Sequence, residues 1–319
     1  MNVIRAGLAA AAVVFGLLAG GASAAEKVVV ATAVRQSPVY YLPVMACLEK
    51  GFCQKQGINV EWVPFGSATS MYQAVAAGSV KMGLTHVGSQ LQVATRGLPV
   101  VVVSDLKSSD DFSIWVKSKG GYHSAADLKG AKLGVSRFGG VEHAYGRVIA
   151  RAAGREREIR FISTGGIPES LASLKTGAID GVVLSPHQMI KLKEAGEVRE
   201  IAAIGDYLPK PWMGYVIFAE RGFVKGSLPI LKRTLHGLLD SIRFIRSNAE
   251  WTVERMKNES GYSDSGARLI YEKLRLTTDG IIRKEAAENA RRVLLEYGII
   301  GKEAPPAGEI YTMEALKPS

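Results

Sequence analysis

Residues 82–104 read MGLTHVGSQLQVATRGLPVVVVS, and this stretch decides the predicted fold. It predicts a short strand over 82–85, a helix over 89–96 and a second strand over 99–104. The four consecutive valines 100–103 are typical of a strand that is buried on both faces. A strand, a helix and a strand in so short a span form a βαβ unit, which needs a parallel sheet with a helix packed on it. The stretch therefore predicts an α/β protein.

The same alternation extends in both directions from this stretch. Before it, the sequence predicts strands over 28–33 and 58–63 and helices over 42–50 and 69–77. After a polar break at 108–111, it predicts strands over 112–116, 132–136, 160–163 and 181–184, with helices over 124–128, 142–153, 168–175 and 187–195. Two βαβαβ units separated by a polar break indicate two doubly wound lobes, each with a parallel sheet.

The last third of the chain contains one predicted strand, over 214–218, and then only helices. The longest helix, over 228–246, carries one apolar stripe formed by Leu228, Leu231, Leu235, Leu238, Leu239, Ile242 and Ile245. Shorter helices are predicted over 250–257, 265–274 and 284–297. The chain leaves the first lobe near residue 105 and returns near 207, which makes a hinge with two crossings. We predict lobe 1 from 25–105 and 207–319, and lobe 2 from 106–206.

Composition narrows the class of protein. The chain has 319 residues, 47% of them hydrophobic, with a net charge of +10 and two cysteines. The apolar share excludes a disordered chain, and two cysteines exclude a multi-cysteine metal cluster. Residues 1–24 combine Arg5, an apolar run over 6–22 and a closing Ala22-Ser23-Ala24, which predicts a signal peptide cleaved after Ala24. We therefore expect a periplasmic monomer that does not bind nucleic acid.

Cys47 and Cys53 are the two thiols, and they would meet an oxidising compartment. Their spacing across a predicted helix end allows a local disulfide, and two free buried thiols are the other possibility. Both alternatives stay open at this point.

Candidate ligand-binding residues follow from the predicted strand ends. In open α/β sheets, ligands bind beyond the carboxyl ends of the strands, where helix N-termini offer free N–H groups. That rule selects Gln36, Ser37, Tyr40, Tyr41, Thr85 and His86 from lobe 1, and Ser136, Arg137, Phe138, Gly139, Gly140, Ser185 and His187 from lobe 2.

The turn over 136–140 is the most specific of these segments. Gly139 and Gly140 allow close backbone approach, Arg137 supplies a fixed positive group and Ser136 supplies a hydroxyl. This combination suits a carboxylate, sulfonate or phosphate group. An ordinary glycine-rich turn with Arg137 in solvent is the alternative interpretation. The turn over 136–140 is not a Walker loop, because no Gly-Lys-Ser/Thr follows it.

Sequence motifs that would indicate catalysis are weaker than the pattern that indicates ligand binding. The segment 134–138 resembles a nucleophile elbow, but Phe138 stands where the closing glycine is needed. Ser185 and His187 are two residues apart on one turn, which does not make a nucleophile and base. We therefore expect a protein that is not an enzyme, with no catalytic residue, no metal and no cofactor.

Several short motifs together resemble one known family. These motifs are Lys50-Gly51-Phe52, Gly57-Ile58-Asn59-Val60, Gln73-Ala74-Val75-Ala76-Ala77-Gly78, Asp127-Leu128-Lys129-Gly130-Ala131-Lys132-Leu133-Gly134-Val135 and Leu174-Lys175-Thr176-Gly177-Ala178-Ile179-Asp180-Gly181. Their order and spacing resemble the solute-binding proteins of ABC importers for nitrate, taurine, alkanesulfonates and thiamine-pyrimidine precursors. One departure is Val80-Lys81-Met82, where such proteins usually carry an Asp.

The resemblance implies a type II periplasmic binding protein, whose two lobes close on one small molecule and dock onto permease subunits in the inner membrane. We expect a small organic anion, held by Arg137, Ser136 and the amides of 139–140 on one lobe. Ser37, Tyr40, Thr85 and His86 would face it from the other lobe. The alternatives are a neutral or cationic heterocycle such as a pyrimidine precursor, stacked on Tyr and Phe rings, or an enzyme, because eukaryotic pyrimidine-precursor synthases share this fold.

Overall fold

The computed structural model describes residues 25–317. The predicted signal peptide, residues 1–24, lies outside them. The strands are β1 (Glu26–Thr32), β2 (Ile58–Pro64), β3 (Met82–His86), β4 (Val100–Lys107), β5 (Ser113–Lys117), β6 (Lys132–Val135), β7 (Arg160–Ser163), β8 (Gly181–Leu184), β9 (Val198–Ala203) and β10 (Tyr215–Glu220).

The helices follow the predicted alternation closely. They are α1 (Pro38–Glu49), α2 (Phe52–Lys55), α3 (Ala68–Ala76), α4 (Val87–Ala94), α5 (Val141–Ala152), α6 (Ile167–Thr176), α7 (Pro186–Glu194), α8 (Arg221–Gly226), α9 (Leu228–Ser247), α10 (Ala249–Ser260), α11 (Asp264–Leu274), α12 (Lys284–Glu296) and α13 (Ala307–Ile310). The short capped helix expected over 124–128 is a 3-10 turn, Ala125–Asp127.

The strands form two five-stranded sheets with the same layout. The first sheet, in what we call lobe 1, has the order β2-β1-β3-β10-β4, and the second, in lobe 2, has the order β7-β6-β8-β5-β9. In each sheet the first three strands are parallel and the fourth is antiparallel to both of its neighbours. The α/β class and the two-sheet architecture are thus confirmed.

The prediction of two parallel sheets is wrong in one respect. β10 lies between β3 and β4 and runs against them, and β5 takes the same position in the other sheet. Both are the first strands to enter a sheet after the chain crosses from the other lobe, so each enters in the opposite direction. The strand β9, an edge strand that pairs with β5, was also not predicted from the sequence.

The long apolar stripe of α9 packs lobe 1 together. Leu231, Leu235, Leu238, Ile242 and Ile245 are fully buried. α9 contacts α1 and α2. It approaches α2 closely at Gly237, where a Cβ atom would lie 2.8 Å from Cys53 Sγ. A larger side chain at this position would push the two helices apart.

A disulfide joins Cys47 near the end of α1 to Cys53 in α2, with the two Cα atoms 5.4 Å apart. This bridge resolves the alternative that the sequence left open. It closes a short loop around the left-handed Gly51, whose φ is 68°.

The C-terminal helices span both lobes. α11 contacts α7 of lobe 2, and α12 contacts α4 of lobe 1. Ala287 and Leu294 of α12 belong to a hydrophobic cluster that also contains Tyr145 of lobe 2 and Leu91 of lobe 1. We propose the domain bounds given above, with the addition that α11 and α12 brace the two lobes against each other.

Among residues 25–317, no helix is both long enough and apolar enough to cross a membrane.

Candidate functional site

A cavity of about 320 Å³ lies between the two sheets. Its walls carry many hydroxyl groups and aromatic rings from both lobes. The lining residues are Ala33, Val34, Ser37, Tyr40, Gly66, Ser67, Ala68, Thr69, Thr85, His86, Ser89, Phe112, Ser136, Arg137, Val141, Glu142, Gly165, Ile167, Ser185, His187, Gln188 and Tyr215.

The folding of both lobes brings helix N-termini to this cavity. Ser37, Ser67 and His86 are the N-cap residues of α1, α3 and α4, and Ser185 is that of α7. Val141 and Ile167, the first residues of α5 and α6, line the cavity as well. Six helices therefore point their positive dipole ends toward one space, which favours polar or anionic groups there.

Eight of the predicted site residues line the cavity. They are Ser37, Tyr40, Thr85, His86, Ser136, Arg137, Ser185 and His187. Both lobes contribute, as the rule of strand ends predicts.

Five predicted residues lie elsewhere. Gln36 is exposed outside the cavity, and Tyr41 points into the core, where its hydroxyl pairs with Ser260 (3.1 Å). Phe138 is 59% exposed and lines a neighbouring outer groove together with Gly139. Gly140 lines neither space.

The expected pair of glycine amides is already engaged within the protein. The Gly139 N–H donates to His143 Nδ1 (3.2 Å), and the Gly140 N–H donates to the Arg137 carbonyl (3.4 Å). We therefore withdraw these two amides from the expected anion site, and Ser136 and Arg137 remain.

His86 is held by partners on both ring nitrogens. The Gly88 N–H donates to Nδ1 (3.0 Å), so the ring hydrogen lies on Nε2, and Nε2 donates to Asp110 Oδ2 (2.8 Å). The same carboxylate oxygen accepts a hydrogen bond from the Tyr145 hydroxyl (2.7 Å) and one from Trp212 Nε1 (3.4 Å). Because neither nitrogen of His86 is free, this residue is not available as a general base in this arrangement.

Asp110 thereby connects four parts of the molecule. Asp110 itself lies on the first crossing between the lobes. Its partners are Trp212 on the second crossing, His86 in lobe 1 and Tyr145 in lobe 2. The four residues are almost completely buried. A buried network of mutually satisfied hydrogen bonds holds its members rigidly, so this cluster ties both lobes and both crossings together.

An ion pair lies beside this cluster. Lys107 Nζ bonds to Asp111 Oδ2 (2.8 Å), and the Tyr215 hydroxyl donates to Asp111 Oδ1 (2.7 Å). Burial alone would raise the pKa of Asp111, but the charge and hydrogen bond of Lys107, with the bond from Tyr215, lower this pKa to about 2. The carboxylate is therefore ionised throughout the physiological range.

His187 is neutral at neutral pH. Burial lowers its pKa to about 4; Asp111 opposes this shift and Lys107 adds to it. Its ring has no hydrogen-bond partner among the described residues. It therefore offers the cavity a neutral donor and acceptor.

Thr85 presents an unpaired polar atom. Its Oγ1 is buried without a hydrogen-bond partner among residues 25–317, and the nearby Tyr72 hydroxyl donates its hydrogen to Gln90 (2.6 Å). An unpaired hydroxyl costs free energy when buried, so a lining position suits it for bonding to a bound molecule.

The mouth of the cavity carries one basic and one acidic side chain. Arg137 is exposed, and its Nη2 lies 3.4 Å from Gln92 Oε1 on the other lobe. Glu142 accepts a hydrogen bond from Ser136 (3.3 Å). Of the residues that line the cavity, Arg137 and Glu142 are the two from the Lys, Arg, Asp and Glu types. Their formal charges therefore balance.

Several residues that shape this site were not predicted from the sequence. The largest are Phe112, Glu142 and Tyr215, and behind them lie Lys107, Asp110, Asp111 and Tyr145. The segment 108–111 was interpreted only as a polar break between lobes. Two adjacent aspartates next to a predicted buried strand were the available signal, because charges beside buried strands need partners.

The comparisons with known proteins support the same architecture. The family profile described as "NMT1/THI5 like" matches residues 39–250. The chain belongs to this family. Two relatives are a Haemophilus influenzae protein named for thiamine biosynthesis (27% identical over 141 residues, 44% of each chain) and a Brucella abortus protein named as a binding protein (24% over 245 residues, 73% of this chain and 75% of the relative). The match thus spans less than half of the Haemophilus protein.

Solved structures of similar shape agree with the fold. The periplasmic aliphatic sulphonate binding protein SsuA from Escherichia coli superposes with a TM-score of 0.76 at 17% identity, covering 90% of this chain and 92% of that one. At this identity the likeness shows the type II periplasmic binding fold alone. Proteins named as enzymes also occur among the matches.

Proposed function

We propose that the chain is the periplasmic solute-binding component of an ABC importer. It captures a small molecule in the cavity between the two lobes and delivers it, unaltered, to permease subunits in the inner membrane. The binding-protein relatives and the sulphonate-binding fold neighbour support this role. The predicted signal peptide supports the location.

The ligand we propose is a small organic anion with an apolar body. The observation that carries this proposal is Arg137, the basic side chain of the lining set, at the mouth of a cavity where six helix N-termini converge. Its guanidinium group would pair with a carboxylate or sulfonate, and the Thr85 hydroxyl would donate a hydrogen bond. The rings of Tyr40 and Tyr215, with centroids 5.7 Å apart, would contact the apolar part.

A second ligand class is favoured by a different observation. Glu142 faces the same cavity as Arg137, and Tyr40, Phe112 and Tyr215 supply aromatic surface. A carboxylate beside aromatic rings suits a neutral or cationic heterocycle with an amino group. The thiamine-related name of the Haemophilus relative points to the same class.

An enzymatic role is less well supported by the site. Both ring nitrogens of His86 are bonded within the protein, and the low pKa of His187 makes it a weak base at neutral pH. A receptor returns its ligand chemically unchanged, which separates the two roles in a direct assay.

The test is calorimetric titration with two probes, ethanesulfonate and 4-amino-5-hydroxymethyl-2-methylpyrimidine. For an anion receptor, Arg137→Ala should weaken ethanesulfonate binding at least tenfold, because it removes a charge-assisted hydrogen bond. Arg157→Ala is the matched control, since Arg157 is an exposed arginine of lobe 2 outside the cavity. If the pyrimidine binds and ethanesulfonate does not, and Glu142→Gln weakens that binding, the ligand belongs to the second class, a neutral or cationic heterocycle. Consumption of either probe would contradict the receptor role.

A further inference from the structure

A groove on lobe 2, separate from the ligand cavity, combines lysines with an apolar floor. It lies between α6 and α7 and has a volume of about 770 Å³. Its lysines are Lys117, Lys119, Lys175 and Lys191, and its floor includes Leu171 and Leu192. We call these six residues the lysine groove.

The positive charge of the lysine groove is not compensated. None of its four lysines forms an ion pair with a carboxylate within residues 25–317, whereas Lys257 and Lys273 elsewhere do. Glu197 is the acidic residue of the lining, so four positive charges face one negative charge. Lys119, Lys175 and Lys191 are exposed, and Lys117 donates a hydrogen bond to the Lys175 carbonyl (3.1 Å).

The floor of the lysine groove is apolar and partly open to solvent. Leu171 and Leu192 are half-buried, and Leu174 and Val198 lie buried beneath them. A partner with apolar side chains in its centre and carboxylates along its edges would match both the floor and the rim. Neither feature alone would specify such a partner.

The lysine groove shares its walls with the ligand cavity. Ile167 and His187, in the first turns of α6 and α7, line the cavity, and the same two helices form the groove. Gln188 lines both spaces, and its Oε1 accepts a hydrogen bond from the Ser185 amide (2.9 Å). An occupant of the groove would therefore contact the two helices that also contact the cavity.

We propose that the lysine groove is the docking surface for an acidic amphipathic segment of a membrane protein partner. This inference rests on the proposed function, in which that partner is the importer permease. The concave shape between two helices favours an inserted helical segment over a flat lipid surface. Contact with α6 and α7 places the partner on the two helices whose first turns line the ligand cavity.

The test measures binding of a fluorescein-labelled helical peptide with Glu residues along one face and Leu residues along the other. Fluorescence anisotropy compares the wild-type chain with the triple variant Lys119→Glu, Lys175→Glu, Lys191→Glu. The matched control is the triple variant Lys129→Glu, Lys225→Glu, Lys302→Glu, which changes the net charge equally at exposed lysines outside the groove. A scrambled peptide of the same composition controls for charge alone, and circular dichroism verifies that each variant folds.

We expect saturable binding of the amphipathic peptide that weakens at least tenfold in the groove variant and changes less than twofold in the control. Equal weakening in both variants, or equal binding of the scrambled peptide, would overturn the proposal, because attraction would then be non-specific. Groove-dependent binding of phosphatidylglycerol vesicles without peptide binding would overturn it in favour of a lipid surface. The cavity titrations decide the importer role separately, since the groove variants leave every cavity residue unchanged.

Discussion

His86 Nε2 donates a hydrogen bond to Asp110 Oδ2 over 2.8 Å, and this contact joins lobe 1 to the first crossing between the lobes. The same oxygen accepts from Tyr145 of lobe 2 at 2.7 Å. One buried carboxylate thus determines how the two walls of the cavity face each other. The chemistry of the ligand site depends on residues that do not themselves line it.

The first prediction concerns Asp110. Asp110→Asn should lower the free energy of unfolding by about 2–4 kcal/mol, because an amide N–H₂ group would face the donors that Oδ1 and Oδ2 now accept from. Chemical denaturation measures this change. Asp206→Asn is the matched control, because Asp206 is exposed and lies near the second crossing; it should change stability by less than about 0.5 kcal/mol. Equal stability of the two variants would show that Asp110 does not hold the lobes.

The second prediction concerns the unpaired hydroxyl of Thr85. Thr85→Val keeps the shape of the side chain and removes the unpaired hydroxyl, so we expect stability to rise by about 1 kcal/mol, while the affinity for whichever probe binds the cavity falls about five- to tenfold. Thr234→Val is the control: Thr234 is equally buried, but its hydroxyl donates to the Ile230 carbonyl (2.8 Å) far from the cavity. That variant should lose stability and keep its affinity. The reverse pattern would remove Thr85 from the ligand site.

The third prediction concerns Asp105 at the end of β4. Burial raises the pKa of this carboxyl to about 7, although the hydrogen bonds from Ser108 and the Lys107 amide and the charge of Arg283 oppose the shift; Asp279 adds to it. Its Oδ1 has no partner among the described residues. The folded state therefore binds a proton that the unfolded state, with a pKa of about 3.9, has already released.

It follows that Asp105 makes the protein less stable as the pH rises from about 4 to about 7. Asp105→Asn should remove this dependence and stabilise the protein above pH 7 by an amount on the order of 2–4 kcal/mol. The difference in unfolding free energy between wild type and variant, measured from pH 4.5 to 8.5, tests this prediction. A difference that does not grow with pH would contradict it.

The fourth prediction concerns the disulfide between Cys47 and Cys53. Because the bridge closes a short loop, its removal in the double variant Cys47→Ala, Cys53→Ala should cost about 2 kcal/mol of stability. Both cysteines lie outside the cavity lining, so ligand affinity should stay unchanged. Thermal unfolding and calorimetry measure the two quantities. A large loss of affinity would mean that α1 transmits the change to the cavity through Ser37 or Tyr40.

Local patterns in the sequence were sufficient for most of the fold. The four valines of β4 and the stripe on α9 from Leu231 to Ile245 are buried as their periodicity predicts, and Leu228 at the start of the stripe is partly buried. Strand order was not predictable, because the insertion of β10 between β3 and β4 depends on pairing between segments more than 100 residues apart. No local pattern carries that information.

The candidate site was also predicted only in part, because local patterns do not show which distant segments come into contact. The rule of strand ends located Thr85, Arg137 and His187, because it depends only on the order of elements. It could not locate Tyr145 or Tyr215, which reach the site from within a helix and from an antiparallel strand. The two glycine amides were misassigned because backbone donors can be used internally, and only three-dimensional contacts show that.

Native mass spectrometry of the protein purified from the periplasm of its own cells shows directly whether the cavity carries a small molecule. We expect one small molecule per chain, released intact on denaturation, and reduced occupancy in Arg137→Ala but not in Arg157→Ala. Absence of any copurified molecule under every growth condition, or equal occupancy in the two variants, would contradict the receptor role.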